Sequence, residues 1–119
     1  IMTTPEGLVR KSDALKKTLE KAKSRGVQIK IAAPITEEAR DAAAVLSEIA
    51  QVRHIEDIRS RFAILDENKA VFSLLDDQNI QPDYDAGVWV NTDFFAKSLQ
   101  NMFEHIWENE AKELELLKN

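Results

Sequence analysis

Apolar positions recur along this 119-residue chain with two alternating periods, and the switches between them predict its elements. Residues 1–3 read as the end of a strand. Thr4, Pro5 and Glu6 then supply an N-cap, a first helical position and a first-turn acid, and Leu8, Leu15, Leu19 and Ala22 fall on one helical face until Gly26 ends the helix. "VQIKI", residues 27–31, alternates apolar and polar as a strand does, and Pro34 stops it. Thr36 is placed to cap a second helix with Glu37 and Glu38 in its first turn. Ala39, Ala42, Ala43, Leu46 and Ile49 give that helix a narrow buried stripe, suited to close packing on a sheet. Residues 52–55 follow as another strand, and strand, helix, strand units with short links predict parallel pairing with right-handed crossovers.

Beyond Asp57 the pattern changes. "RFAIL" and "AVFSLL" are apolar runs separated by Asp66, Glu67, Asn68 and Lys69, which predicts a hairpin whose turn uses the tolerance of Asn for the left-handed region. Residues 76–85, with Pro82 and four aspartates, form a polar loop before the strand "GVWV". Asn91 or Thr92 caps a long C-terminal helix carrying Phe95, Leu99, Met102, Phe103, Ile106 and Trp107 on a broad stripe, and its tail "KELELLKN" extends it to about residue 117. The expected fold is α/β, a mixed sheet flanked by helices with a long C-terminal helix.

Composition narrows the function classes. One domain covering residues 1–119 can bury a core without disulfides or metal, and there is no cysteine, so disulfide and thiolate chemistry are excluded and a reducing cytoplasm is the simplest compartment. The apolar runs are far too short for a membrane span. A formal net charge of -5 argues against this chain gripping phosphate backbones by itself. Met2 is preceded by Ile1, which reads as a piece of a longer protein with a partner domain upstream.

Candidate chemistry centres on "RSRFAILDENKAVFSLLDD". Arg59, Arg61 and Asp66 stand at the spacing at which phosphodiesterases of the phospholipase D superfamily carry His, Lys and Asp, and the stretch resembles that motif. In the catalytic version His attacks phosphorus and Lys stabilises the phosphoryl oxygens. Arginine at 59 cannot be that nucleophile, because guanidinium stays protonated and offers no lone pair. Two arginines one residue apart on a strand share a face and suit a phosphate, carboxylate or sugar hydroxyl. The competing reading is a set of surface ion pairs with Glu56, Asp57 or Asp66. His54 and His105 lack a third ligand at metal spacing, the aspartates of the polar loop miss the calcium-loop pattern, and no phosphate loop, dinucleotide fingerprint or nucleophile triad is legible.

Three blocks, "EKAKSRGVQIKIAAP", "RSRFAILDENKAVFSLL" and "GVWVNTDFFAKSLQNMFEHIWENE", resemble in order and spacing the phospholipase D-like domain that follows a winged helix in TrmB-type archaeal transcriptional regulators. The resemblance implies a non-enzymatic domain that senses a small polar or anionic effector and forms a homodimer, with DNA bound only through an N-terminal domain not contained in this chain. Arg59, Arg61 and Asp66 are the expected effector contacts, with Asn91 a further candidate at a strand-to-helix junction; no metal or cofactor is implied. A phosphodiesterase half-domain and a purely structural dimerisation module are the alternatives.

Overall fold

The structure, a computed structural model, describes residues 1–56, 60–74 and 86–113. Its helices are α1 (Pro5–Ala14), α2 (Lys16–Ser24), α3 (Arg40–Ser47) and α4 (Asp93–Asn109), and its strands are β1 (Lys30–Ala33), β2 (Gln51–His54), β3 (Phe62–Leu65), β4 (Lys69–Ser73), β5 (Gly87–Val90) and β6 (Lys112–Glu113). They form a mixed α/β fold with two three-stranded sheets, ordered β1-β2-β6 and β3-β4-β5. β1 and β2 are parallel, while the β2–β6, β3–β4 and β4–β5 pairs are antiparallel.

Met2 joins the two sheets. It bridges Ala32 in parallel and Phe62 in antiparallel fashion. The expectation of a strand end at residues 1–3 is met by this single strand-like stretch, held by bonds from Met2 N–H to Phe62 C=O, Phe62 N–H to Met2 C=O, and Thr3 N–H to Ala32 C=O. Because side chains alternate across a strand, Ile31, Ala33 and Val52 face a core shared with Leu8 of α1 and with Ala39, Ala42, Ala43 and Leu46 on and just before α3. Met2 and Ala32 face the opposite way, into a second core with Ile55, Phe103 and Trp107.

Local signals account for most element starts. The Thr4 hydroxyl accepts from Gly7 N–H at 3.0 Å, with Pro5 at the first helical position. Thr92 does the same for α4, accepting from Phe95 N–H at 3.2 Å. Asn91 is therefore not the cap. Thr36 precedes a 3-10 turn, Glu37–Ala39, but makes no side-chain cap bond.

Four expectations need correction. The first helix is two helices meeting at Leu15, which is exposed, and α2 fully buries no residue, its Leu19 lying half-buried against the core that Leu8 of α1 enters. β1 starts at Lys30 rather than at Val27, since pairing with β2 begins with Lys30 opposite Gln51. In the hairpin turn the left-handed residues are Asp66 (φ 54°) and Glu67 (φ 63°), not Asn68. Both central positions of a type I′ turn demand positive φ, and Asn68 N–H closes the turn on Leu65 C=O at 3.2 Å. Finally, α4 stops at Asn109 instead of running to residue 117. Glu110 N–H and Ala111 N–H both bond Ile106 C=O, and Lys112 and Glu113 turn back to pair with His54 and Arg53. Along α4, Leu99, Phe103 and Trp107 are buried, while Phe95 and Met102 are exposed. The polar loop at 76–85 and Leu114 and Leu117 lie outside the described residues.

Candidate functional site

Arg61 stands immediately before β3, and its backbone is pinned there by Ser73 N–H donating to its carbonyl at 2.9 Å. Its side chain is buried against the start of α1. A side chain at position 7 would sit 3.6 Å from Arg61 Cδ and would collide with the Thr3 hydroxyl, so Gly7 is what lets the guanidinium stem and Thr3 approach the helix. Lys11 Nζ donates to the same Thr3 hydroxyl at 3.2 Å. Lys11 thus reaches a buried hydroxyl, and the Arg61 stem passes Gly7, both beside the N-terminal turn of α1, where the helix dipole is also positive. Arg59 and Asp57 lie outside the described residues.

Asp66 is elsewhere. It follows the last residue of β3, so a four-residue strand, about 13 Å of extended chain, separates it from Arg61. Asn91 follows β5 on exposed chain just before the Thr92 cap. Of the three described residues expected to share a pocket, Arg61 and Asp66 thus stand at opposite ends of β3, and the register that sets Val90 opposite Ala70 and Ala70 opposite Ile64 puts Asn91 at the Asp66 end. Spacing in sequence put Arg61 and Asp66 in one motif, but a straight strand carries its two ends apart.

Asp66 and Glu67 instead stand at the mouth of a cleft of about 610 Å³ between β1 and the hairpin, within the range typical of ligand sites. Ile1, Leu19, Ala22, Ile64 and Phe103 supply its apolar lining, and Arg25, Lys30 and Glu104 add charge to that of the turn. The cleft escaped sequence reasoning because it is made by residues from four distant segments.

A second cluster that sequence reasoning missed lies at the end of α4. Arg53 Nη1 donates to Trp107 C=O at 2.9 Å, and its guanidinium carbon lies 4.4 Å from the Trp107 ring centroid. Lys30 Nζ is 5.6 Å from the same centroid. Phe103 stacks on Trp107 at 5.7 Å, and Phe62 meets Phe103 edge-on at 6.4 Å. The alternation "QVRH" holds the only prior hint, an arginine inside a short strand. Both histidines are engaged locally: His54 Nδ1 accepts from Ile35 N–H at 2.9 Å with Nε2 3.7 Å from Glu56, and His105 lies on the exposed side of α4 beside Asn109. Among the described residues no group of three or more His, Asp or Glu could hold a metal ion, and no helix is long and apolar enough to cross a membrane.

A third feature is apolar surface. Phe94 is 84% exposed, Met102 62% and Trp89 57%. Phe95, whose ring is 5.3 Å from Phe72, and Met102 are seven residues apart and so lie along one line of α4.

No protein-family model and no curated protein matches the chain. Among solved structures, it is similar to TrmBL2, an archaeal chromatin protein whose structure shows a novel mode of DNA binding, with a TM-score of 0.60 and 21% identity. The likeness covers 85% of this chain and 41% of that one, so the chain spans well under half of that protein's length. At such identity it shows a shared fold.

Proposed function

We propose that the chain is a non-enzymatic dimerisation and effector-sensing domain of a transcription regulator, with a phospholipase D-like fold and with DNA contacted by a separate upstream domain. The observation that carries this reading is the fold shared with TrmBL2 over most of the chain. The net charge of -5 agrees with leaving DNA to another part of the protein. Arg59, at the position of a nucleophilic histidine, is the reason to expect no hydrolysis of phosphodiesters.

The dimer is a second copy docked on the exposed side of α4. With the helix ending at Asn109, the apolar area available for it is that of Phe94, Phe95 and Met102 rather than a protruding tail. Light scattering tests it: a dimer mass for the parent and a monomer mass for Phe94→Glu/Met102→Glu are expected, and a monomeric parent at high concentration refutes it.

The effector is a small anion or polar metabolite held at the start of β3, where Lys11 reaches Thr3, the Arg61 stem passes Gly7, and Arg59 is two residues away in sequence. Asp66 and Asn91 do not belong to that site. Calorimetric titration with phosphorylated sugars and carboxylates should find a binder weakened by ~1.5–3 kcal/mol in Lys11→Ala and in Arg61→Ala, the worth of a hydrogen bond to a charged group. No binder, or a binder indifferent to both variants, would leave the structural dimerisation module as the function.

A further inference from the structure

The cleft between β1 and β3 has the geometry of a missing strand. In β1 the carbonyls of Ile29 and Ala33 accept from Gln51 and Ile55, so the odd-numbered residues are bonded to β2. The even-numbered ones turn the other way: Ala32 N–H donates to Ile1 C=O at 2.8 Å, Ala32 C=O accepts from Thr3, and Lys30 C=O accepts from the Ile1 amine at 2.8 Å. The next group along this edge, Lys30 N–H, points into the cleft. β3 shows the same alternation. Arg61 C=O and Leu65 C=O are used on the β4 side, Phe62 exchanges both its bonds with Met2, and Ile64 N–H and C=O therefore face the cleft.

The two edges agree on register. Met2 stands opposite Ala32 in the parallel sense and opposite Phe62 in the antiparallel sense. Stepping back two residues from Met2 brings a residue opposite Lys30 on one side and Ile64 on the other. One extended chain satisfies both edges at once, with β1 and β3 each a normal strand spacing of about 4.8 Å away.

We propose that this cleft is a strand slot, occupied by the polypeptide segment immediately preceding Ile1, which runs parallel to β1 and antiparallel to β3 and closes the two sheets into one. Three observations favour that occupant over a small molecule. The backbone groups presented are a ladder rather than a convergent cage. The Ile1 nitrogen already occupies the first rung, donating to Lys30 C=O at 2.8 Å as a peptide N–H in a ladder does. The similar fold belongs to a chain more than twice the length covered here. Side-chain alternation then sets the pattern of the segment. The residue before Ile1 shares the face of Met2, over Ile64 and Phe103, and the one before that shares the face of Ile1, over Leu19 and Ala22, so both are apolar. Further out, Arg25, Asp66 and Glu67 call for polar residues.

The test extends the chain at its N-terminus with Thr-Lys-Val-Val and, in a second version, with Thr-Lys-Val-Pro, whose proline lacks the N–H that Ile64 C=O would accept. Amide hydrogen exchange is followed by NMR. Exchange at Lys30 and Ile64 is expected to slow by about tenfold or more in the first protein, as for amides entering a stable ladder. The proline version, folded by its unchanged spectrum elsewhere, loses the bond to Ile64 C=O and so holds the strand less tightly, and protection at Lys30 and Ile64 should fall well below that of the first protein. Equal exchange at both amides with and without the Val-Val extension would overturn the proposal. Protection in the unextended chain that grows with protein concentration would overturn it too, by assigning the slot to a strand from a second copy.

Discussion

Replacing Arg53 by methionine should destabilise the fold by about 2–3 kcal/mol, because one side chain performs two tasks at the end of α4. Trp107 C=O is one of the last four carbonyls of that helix, which have no partner within it. Arg53 Nη1 fills that place at 2.9 Å, and a charged donor to such a group is worth roughly 1.5–3 kcal/mol. No basic residue lies in the last turn of α4, so Arg53 also brings the positive charge that its negative end favours. The guanidinium lies 4.4 Å from the ring centroid of Trp107, a residue only 2% exposed, and a partly desolvated contact of this kind adds roughly 0.5–2 kcal/mol. The two contributions share one side chain and do not simply add. Methionine keeps the apolar stem and loses both. Lysine keeps the charge without the planar fork and should lose about half as much. Urea unfolding followed by Trp107 fluorescence, in a Trp89→Phe background that silences the exposed second tryptophan, reads the effect directly. An Arg53→Met midpoint equal to that of the background protein would refute the reasoning, and would mean that strand pairing of Lys112 and Glu113 with β2 suffices to end the helix.

Two further outcomes are expected. The Ile1 amine has its pKa lowered from 8.0 to about 5, chiefly by burial, so between those values the folded chain binds fewer protons than the unfolded one and stability rises with pH. That contribution, roughly 4 kcal/mol for three pH units, should be complete near pH 8, be lost on acidification to pH 5, and vanish from the urea midpoints of N-terminally acetylated protein; parallel profiles for the two forms would refute it. Glu67→Gly should raise stability by about 0.5–1 kcal/mol, since a left-handed L-residue costs roughly 1–2 kcal/mol and glycine returns part of that through the entropy of the unfolded chain. A lowered thermal midpoint would show that Glu67 makes compensating contacts at the cleft mouth.

The sequence by itself determined whatever depends on neighbours a few residues apart. Thr4 and Thr92 cap helices because a hydroxyl and an amide three residues on meet whenever the chain turns helical there. The alanines on and before α3 are buried as their period requires, and the short strand, helix, strand links leave β1 and β2 parallel. The hairpin was legible from two apolar runs about a polar tetrad, but not its left-handed pair. Asp66 and Glu67 take positive φ because the paired strands impose that twist on the turn between them, whichever residues stand there.

Tertiary structure alone decided where α4 ends and where the sites lie. "KELE" has good helix formers and would have continued the helix, yet the open edge of β2 offers backbone partners that the helix end cannot, and Arg53 claims the Trp107 carbonyl. Arg61 was legible as a cation in a motif but not as a buried one, because Gly7, against which its stem packs, lies more than fifty residues away in sequence. The cleft has the same origin. Its walls are strands some thirty residues apart, separated by the width of a chain because Met2 reaches between them, and no local pattern records a gap made by the meeting of four distant segments.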